Sequence, residues 1–372
     1  MIKKVVFLTA TRADFGKLKS LIQILKKNKK YKVIIIVTGM HMIKKYGDTH
    51  KEVTKYFKSG VIKFTNQSIG DPLEIILSKT VKKISLLLKK INPDLIVTHG
   101  DRVETLACAI SASLNHILTA HIEGGELTGT IDDTIRHSVT KLSHAHFVSN
   151  NKAKKRVIKM GEDKKNVFNI GSSDLDTIKN NKLPTLREVK KRYNIYFRNY
   201  AILIWHPVTS ELKSIKKNTK ILLSFLERTK ENYIVIYPNN DPGGKDILDS
   251  YIKIKNKKFK IFPSLRFTFF TTLLKNSKFI IGNSSCGIYE APYFKVPTIN
   301  IGTRQNKRFL SRAILNLNIN NLKNEKIYSF LKNYKPLKYK IFGDGNSDKK
   351  FLKILKNKNF WNIKTQKIFD EK

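Results

Sequence analysis

Short apolar runs alternate with helically spaced apolar residues along almost the whole chain, and this alternation limits the fold more than any other feature. The runs at 5–9, 33–38, 95–98, 117–121, 147–149 and 167–170 are too uniformly apolar to carry a solvent face, and they read as buried strands. Between them, Leu18, Leu21, Ile22 and Leu25 fall at i, i+3, i+4 and i+7, which is one face of a helix. Residues 73–88 mark another helix, stopped by Asn92-Pro93. Strands joined through helices need crossover connections, and such connections build a parallel sheet covered on both faces. The basic, polar stretch 180–200, with Pro184, breaks the pattern and sets a domain boundary. Alternation resumes with strands at 201–205, 233–237, 260–262, 279–282 and 296–301, and with helices at 222–226 and 267–274. The expectation is an α/β chain of two doubly wound Rossmann-type domains, residues 1–180 and 181–345. A C-terminal helix at about 346–372, with 350–360 as its apolar part, is expected to pack back on the first domain.

In a parallel sheet, residues just beyond consecutive strand ends converge on one rim, where ligands bind. The run at 95–98 ends in His99-Gly100-Asp101, and the run at 117–121 ends in His121-Ile122-Glu123-Gly124-Gly125. Asp132 and Asp133 then open an amphipathic helix. Asp101, Glu123 and Asp132 on one rim, with no cysteine-rich metal pattern nearby, point to proton chemistry. Asp133 reads as a charge at a helix N-terminus, favoured by the helix dipole.

The first strand-to-helix turn, Thr9-Ala10-Thr11-Arg12-Ala13-Asp14-Phe15-Gly16-Lys17, lacks GxGxxG, and the chain contains no GxxxxGK[ST]. Arg12 and Lys17 either hold an anion together with free N–H groups or are solvated charges on a capped helix. A second turn runs Gly282-Asn283-Ser284-Ser285-Cys286-Gly287-Ile288-Tyr289-Glu290. Its small residues leave room for a diphosphate on Ser284, Ser285 and exposed N–H groups, with Glu290 accepting a ribose hydroxyl; the alternative is an ordinary capped helix. His206, in Trp205-His206-Pro207, ends a strand, where it either neutralises phosphate, protonates a leaving group or serves structure alone. His116, His121, His137, His144 and His146 crowd one region, but HExxH is absent and a zinc site needs three or four convergent ligands, so no metal is assigned.

Charge raises one competing reading. The chain has 72 basic and 29 acidic side chains among 372, a net charge of +43, which suggests nucleic-acid binding. The lysines are spread along the whole sequence rather than gathered in one stretch, and a positive surface also steers small anions inward. No nucleic-acid partner is therefore expected. Cys108 and Cys286 give no disulfide framework, which suits a reducing cytoplasm. The N-terminal apolar run meets Arg12 and Asp14 too early for a secretion signal. No run approaches the roughly 20 apolar residues of a membrane span. A cytoplasmic protein without a membrane partner is expected.

The segments TATRADFGKL, HGDRVET, HIEGGELTGTIDDTIRHSVTKLSHAHF, WHPVT, GNSSCGIYEAP and INIGTRQ resemble, in order from about residue 3 to 305, the UDP-N-acetylglucosamine 2-epimerases. The likeness is greatest to the hydrolysing branch, which makes N-acetylmannosamine for sialic-acid synthesis. The resemblance implies a GT-B-like fold, a UDP-sugar in an interdomain cleft, and neither metal nor nicotinamide cofactor. It assigns catalytic acids to Asp101, Glu123 and Asp132, and a strand-end histidine to His206. It assigns substrate and UDP binding to Arg12, Lys17, Gly282, Asn283, Ser284, Ser285, Glu290 and Arg304. In the implied chemistry Glu123 and Asp132 move protons at C2 of the sugar, and Asp101 orients or activates water. His206, Arg12 and Arg304 offset the departing diphosphate. Crowded carboxylates keep one acid protonated near neutral pH. Beyond Gln305 the sequence runs into NKRFL, without the acidic turn of non-hydrolysing relatives, so the resemblance does not extend to regulation by a second UDP-sugar. The same residues leave open a UDP- or GDP-linked N,N′-diacetylbacillosamine as substrate, a non-hydrolysing epimerase, or a GT-B glycosyltransferase. Apolar helix faces in the first domain suggest a homodimer or homotetramer.

Overall fold

In a computed structural model the described residues are 2–180, 183–305, 311–336 and 342–368. They divide into two units, 1–126 with 132–180 and 341–372, and 127–131 with 181–340. Among the described residues the first unit holds a seven-stranded sheet. Its strands are β1 (Lys3–Thr9), β2 (Tyr31–Val37), β3 (Val61–Lys63), β4 (Leu95–His99), β5 (Thr119–Ile122), β6 (Ala145–Val148) and β7 (Val167–Asn169). They run parallel in the order β3-β2-β1-β4-β5-β6-β7, so the chain reverses direction across the sheet between β1 and β4.

The alternation of side chains along β1 explains why its run is apolar throughout. Val5 and Phe7 enter one core with Phe15, Leu18, Leu21 and Leu25 of the helix Arg12–Lys26. Val6 and Leu8 enter the opposite core with Ile84 and Leu88 of the helix Leu73–Ile91 and Cys108 of the helix Val103–Leu114. Burial pushes the Cys108 thiol up to about 12, so it behaves as a small apolar group. The helix Leu73–Ile91 stops where Asn92 turns left-handed (φ 48°) before Pro93.

The C-terminal residues complete the first core. Phe351 and Phe360 lie against Phe147, with ring centroids 4.8 and 6.1 Å away. The expected single helix over 350–360 is instead two, Ser347–Lys356 and Lys358–Trp361. Asn357 breaks it by turning extended and accepting the Asn359 N–H, a local bond that competes with helix continuation. Residues 369–372 lie outside the described set.

Further on, Lys367 closes the helix Ile131–Leu142 by donating to the carbonyls of Lys141 and Ser143 at 2.7 and 2.8 Å, and to Glu162 at 2.6 Å. Glu162 also takes His146 and Lys141, each at 2.9 Å. Burial raises its carboxyl, but the His146 hydrogen bond and the two lysines more than offset that and hold it at about 2, against 4.5 for a free Glu. A depressed folded-state pKa stabilises above the unfolded value and loses that contribution as pH falls through the folded one. Glu162→Gln is therefore expected to lose about 2–3 kcal/mol at pH 7, with the gap to wild type closing between about pH 4.5 and 2. Urea denaturation at stepped pH measures it; a gap that stays constant on acidification counts against the charge as its cause.

The second unit holds a six-stranded parallel sheet among its described residues. Its strands are β8 (Ala201–Ile204), β9 (Tyr233–Ile236), β10 (Phe259–Phe262), β11 (Ile280–Gly282), β12 (Thr298–Ile301) and β13 (Ile314–Leu317). Their order, β10-β9-β8-β11-β12-β13, reverses between β8 and β11. Ala201 and Leu203 face a core built with Leu222 and Leu226 of the helix Ile215–Glu227, while Ile202 and Ile204 face the other side with Leu273 and Leu274. Two edge strands, β3 and β13, escaped the sequence reading. Lys63 closes the first, and Asn316 interrupts the second, where it pairs across the strands with Asn300 at 2.8 Å. No helix among the described residues is long and apolar enough to cross a membrane.

Candidate active site

The turn after β1 is closed by its own acid. Asp14 is buried, receives the N–H groups of Ala10 and Thr11 at 2.9 and 3.1 Å, and also accepts from the Thr9 hydroxyl. Thr11 and Asp14 form a reciprocal capping box for the helix Arg12–Lys26. A side-chain carboxyl thus already occupies these N–H groups, as in the capped-helix alternative for this turn. Arg12 places Nε 2.8 Å from Glu52, and Lys17, one turn on, points to two carboxyls.

Those carboxyls are Glu123 and Asp174. Lys17 Nζ lies 3.0 Å from Glu123 Oε2 and 3.3 Å from Asp174 Oδ2. His99, the last residue of β4, puts Nε2 3.3 Å from Glu123 Oε2. Ser172, beyond β7, lies 3.4 Å from Glu123 Oε1. Glu123 sits just past β5 with φ 62°, a left-handed backbone that a glutamate adopts only at a cost, and its N–H is tied to the Phe147 carbonyl at 2.9 Å. Burial raises the Glu123 carboxyl, but Lys17 and His99 together more than offset it and hold it well below the usual carboxylate range. Asp174 moves the other way: burial raises it, Lys17 only partly opposes this, and the charge of Glu123 adds to the rise. Two carboxyls on one ammonium, pushed in opposite directions, are the kind of pair that acid–base chemistry uses.

Of the expected acids, only Glu123 joins this cluster. Asp101 is ion-paired with the buried guanidinium of Arg136, which also holds Asp133 at 3.1 Å and the Glu126 carbonyl at 3.3 Å. Asp133 is therefore a partner of Arg136 as well as a first-turn charge. Asp132 stands half-buried beside it in the first turn of the helix Ile131–Leu142. His121 fixes the turn before Asp101: its Nε2 lies 2.8 Å from the Gly100 carbonyl and its Nδ1 3.1 Å from Thr140 Oγ1. Burial holds His121 down to about 3, so a neutral ring donates to that carbonyl. Two other clustered histidines have similar duties, His144 with the Thr119 N–H at 3.0 Å and His146 with Glu162 at 2.9 Å. Among the described residues no group of three or more His, Cys, Asp or Glu is arranged to hold a metal ion.

In the second unit the ends of β8 and β11 are locked together. Asn283 accepts the His206 N–H at 2.7 Å and donates to the His206 carbonyl at 2.8 Å. Its own carbonyl receives Arg304 at 3.3 Å and Gln305 at 2.8 Å. His206 Nδ1 accepts the Asn239 N–H at 3.1 Å, which leaves the ring proton on Nε2. Gly282 is demanded by the neighbouring strand, because a Cβ there would stand 2.0 Å from the Ile204 carbonyl oxygen. Gly282 and Asn283 thus also position this turn, whose half-exposed hydroxyls are Ser284 and Ser285. Glu290 is buried in the helix Cys286–Tyr293.

Sequence reading missed Ser172, Asp174, Arg136, Gln305 and the role of His99. A signal existed for two of them: Gly171-Ser172-Ser173-Asp174 follows an apolar run and opens a helix, the same strand-to-helix grammar as Gly282-Asn283-Ser284-Ser285.

A family model described as UDP-N-acetylglucosamine 2-epimerase matches residues 23–356. The chain is 42% identical over 375 residues to the UDP-N-acetylglucosamine 2-epimerase of Neisseria meningitidis serogroup B, covering 99% of each. It is 37% identical over 330 residues to the GDP/UDP-N,N′-diacetylbacillosamine 2-epimerase (hydrolyzing) of Campylobacter jejuni, covering 86% of this chain and 85% of that one. The crystal structure of Methanocaldococcus jannaschii UDP-GlcNAc 2-epimerase in complex with UDP-GlcNAc and UDP shares the fold, with a TM-score of 0.80 at 24% identity over 95% of this chain and 99% of that one. The fold class is GT-B-like, built from two doubly wound Rossmann-type domains.

Proposed function

The chain belongs to the UDP-N-acetylglucosamine 2-epimerase family, and from that premise we propose that it is a hydrolysing member, converting UDP-N-acetylglucosamine to N-acetylmannosamine and UDP for sialic-acid-type sugar synthesis. The observation that carries this reading is Glu123, kept ionised at a strand end by Lys17 and His99 beside a carboxyl of opposite tendency.

Loss of UDP from C1 builds oxocarbenium character, which acidifies the C2–H. Glu123 removes that proton, giving 2-acetamidoglucal. Asp132 protonates C2 from the opposite face while water adds at C1, and Asp101, oriented by Arg136, aligns that water. The free sugar leaves with C2 inverted. In the second unit Ser284, Ser285 and Glu290 bind the UDP. His206 offers its Nε2–H to the departing diphosphate, whose charge Arg304 and Arg12 offset. Lys17 acts on Glu123 rather than on phosphate.

A second reading keeps this chemistry on a UDP- or GDP-linked N,N′-diacetylbacillosamine, the named substrate of the Campylobacter relative. Incubation with UDP-N-acetylglucosamine, followed by 1H NMR, separates the possibilities. Free UDP with N-acetylmannosamine is expected. UDP-N-acetylmannosamine as the product would make the enzyme non-hydrolysing, and turnover of the diacetylbacillosamine nucleotides alone would establish the second reading.

A further inference from the structure

The reaction scheme gives no part to Asp174, yet Asp174 shares a cation with Glu123. It also shares a hydroxyl: Ser172 Oγ lies 3.4 Å from Glu123 Oε1 and 3.3 Å from Asp174 Oδ2, the oxygen that faces Lys17. A serine hydroxyl has one proton to donate. Both contacts are hydrogen bonds at once only if one of the two carboxyls carries a proton and donates it back to Ser172.

Charge counting points the same way. Asp174 is 1% exposed and Glu123 7%; Lys17 is the ammonium within ion-pair distance of both, with His99 3.3 Å from Glu123 Oε2, so a carboxylate at Asp174 would share its counter-ion with Glu123 rather than have its own. Asp174 Oδ1 is moreover buried without a hydrogen-bond partner, a state far costlier for a charged oxygen than for a neutral acid.

We propose that Asp174 is a positioning residue for Glu123, the two carboxyls sharing one proton through Ser172 with Lys17 as their common counter-ion. The proton moves in one relay. Asp174 O–H gives its proton to Ser172 Oγ as the Ser172 hydroxyl proton passes to Glu123. Asp174 is left a carboxylate and Glu123 an acid, with Ser172 and the Lys17 ammonium unchanged. Glu123 thereby moves between base and acid at constant net charge of the cluster. This rests on the epimerase reading for its use, though not for its chemistry. The titratable groups facing Asp174 are Lys17 from the helix Arg12–Lys26, His99 from β4 and Glu123 beyond β5. Asp176, on the same helix as Asp174, is turned onto Ser20, Ser347 and the Asp348 N–H. The raised carboxyl of Asp174 and the depressed one of Glu123 agree with a single proton resting on Asp174.

Asp174→Asn keeps the shape and an acceptor for Lys17, but an amide relays no proton. The expected result in the full-length protein is a folded variant whose kcat falls about 100-fold while KM stays within about threefold. The alkaline limb of the kcat–pH profile, set by loss of the shared proton, should be displaced, and Ser172→Ala should reproduce the kcat loss. Infrared spectra of the substrate-free proteins should show a protonated-carboxyl band in wild type that Asp174→Asn lacks. A variant with kcat within threefold of wild type and an unmoved pH profile overturns the proposal, as does the absence of any infrared difference. If wild type turns over none of the nucleotide sugars, the epimerase reading falls, and the infrared comparison alone decides whether the proton is shared.

Discussion

Glu123→Gln lowers turnover of the nucleotide sugar by about a thousandfold or more while the protein remains folded. The magnitude follows from the proposed role: a positioned general base contributes about 100- to 10,000-fold, and an amide cannot accept the C2 proton. Retained folding follows from the geometry. Glutamine fills the same volume, keeps a carbonyl oxygen for Lys17, and leaves the backbone bond to Phe147 untouched. The substitution also removes the Glu123 charge, which after burial favours the proton on Asp174, so Asp174 becomes the carboxyl partner left to Lys17. That exchange of counter-ion limits the loss of stability to about 1–2 kcal/mol, as for a pair whose remaining charge finds a new partner. Product formation by NMR and a urea melt test the two halves. Turnover within tenfold of wild type would remove Glu123 from the chemistry, and a collapsed melt would make it a structural residue.

Gly282→Ala should be the most destabilising small substitution in the second unit. Gly282 has φ 127°, and in the register it faces Ile204 of β8. An added Cβ would lie 2.0 Å from the Ile204 carbonyl oxygen and 2.8 Å from its carbon. Both are backbone atoms, so no side-chain rotation relieves the clash; β8 and β11 must separate. Separation pulls apart His206 and Asn283, which clasp each other just beyond those strand ends. A cost of about 4 kcal/mol or more is expected, in the range reserved for a broken core or backbone. Gly70→Ala provides the contrast. It also has a positive φ, 88°, but nothing lies within 4 Å of its added Cβ, so only the backbone cost of about 1–2 kcal/mol applies. Denaturant midpoints of the two variants decide the matter: equal losses would show that strain, not the close approach of two strands, is what Gly282 relieves.

The two sheets were legible because their interior strands are apolar enough to be buried on both faces, and because 3.6-residue spacing marked the intervening helices. Edge strands β3 and β13 were not, since an edge needs fewer apolar residues and these carry Lys63 and Asn316. The closing helix was visible in composition, but its break at Asn357 depends on one side chain bonding its own backbone.

The site divides along the same line. Strand ends in a parallel sheet are fixed by pattern, so the sequence alone put Asp101, Glu123, His206 and the Gly282–Ser285 turn at the edge where ligands bind. It did not settle which neighbours each would meet. Glu123 meets Lys17 from 106 positions away and Ser172 from 49, and Asp101 meets Arg136 from 35. Those meetings depend on the order of strands across the sheet and on how each helix is turned about its axis. Both are set by packing over the whole core, not by any local run of residues. Sequence determined where charge would gather; only the tertiary structure decided which charges share a proton, because a pKa is fixed by neighbours and burial rather than by residue type.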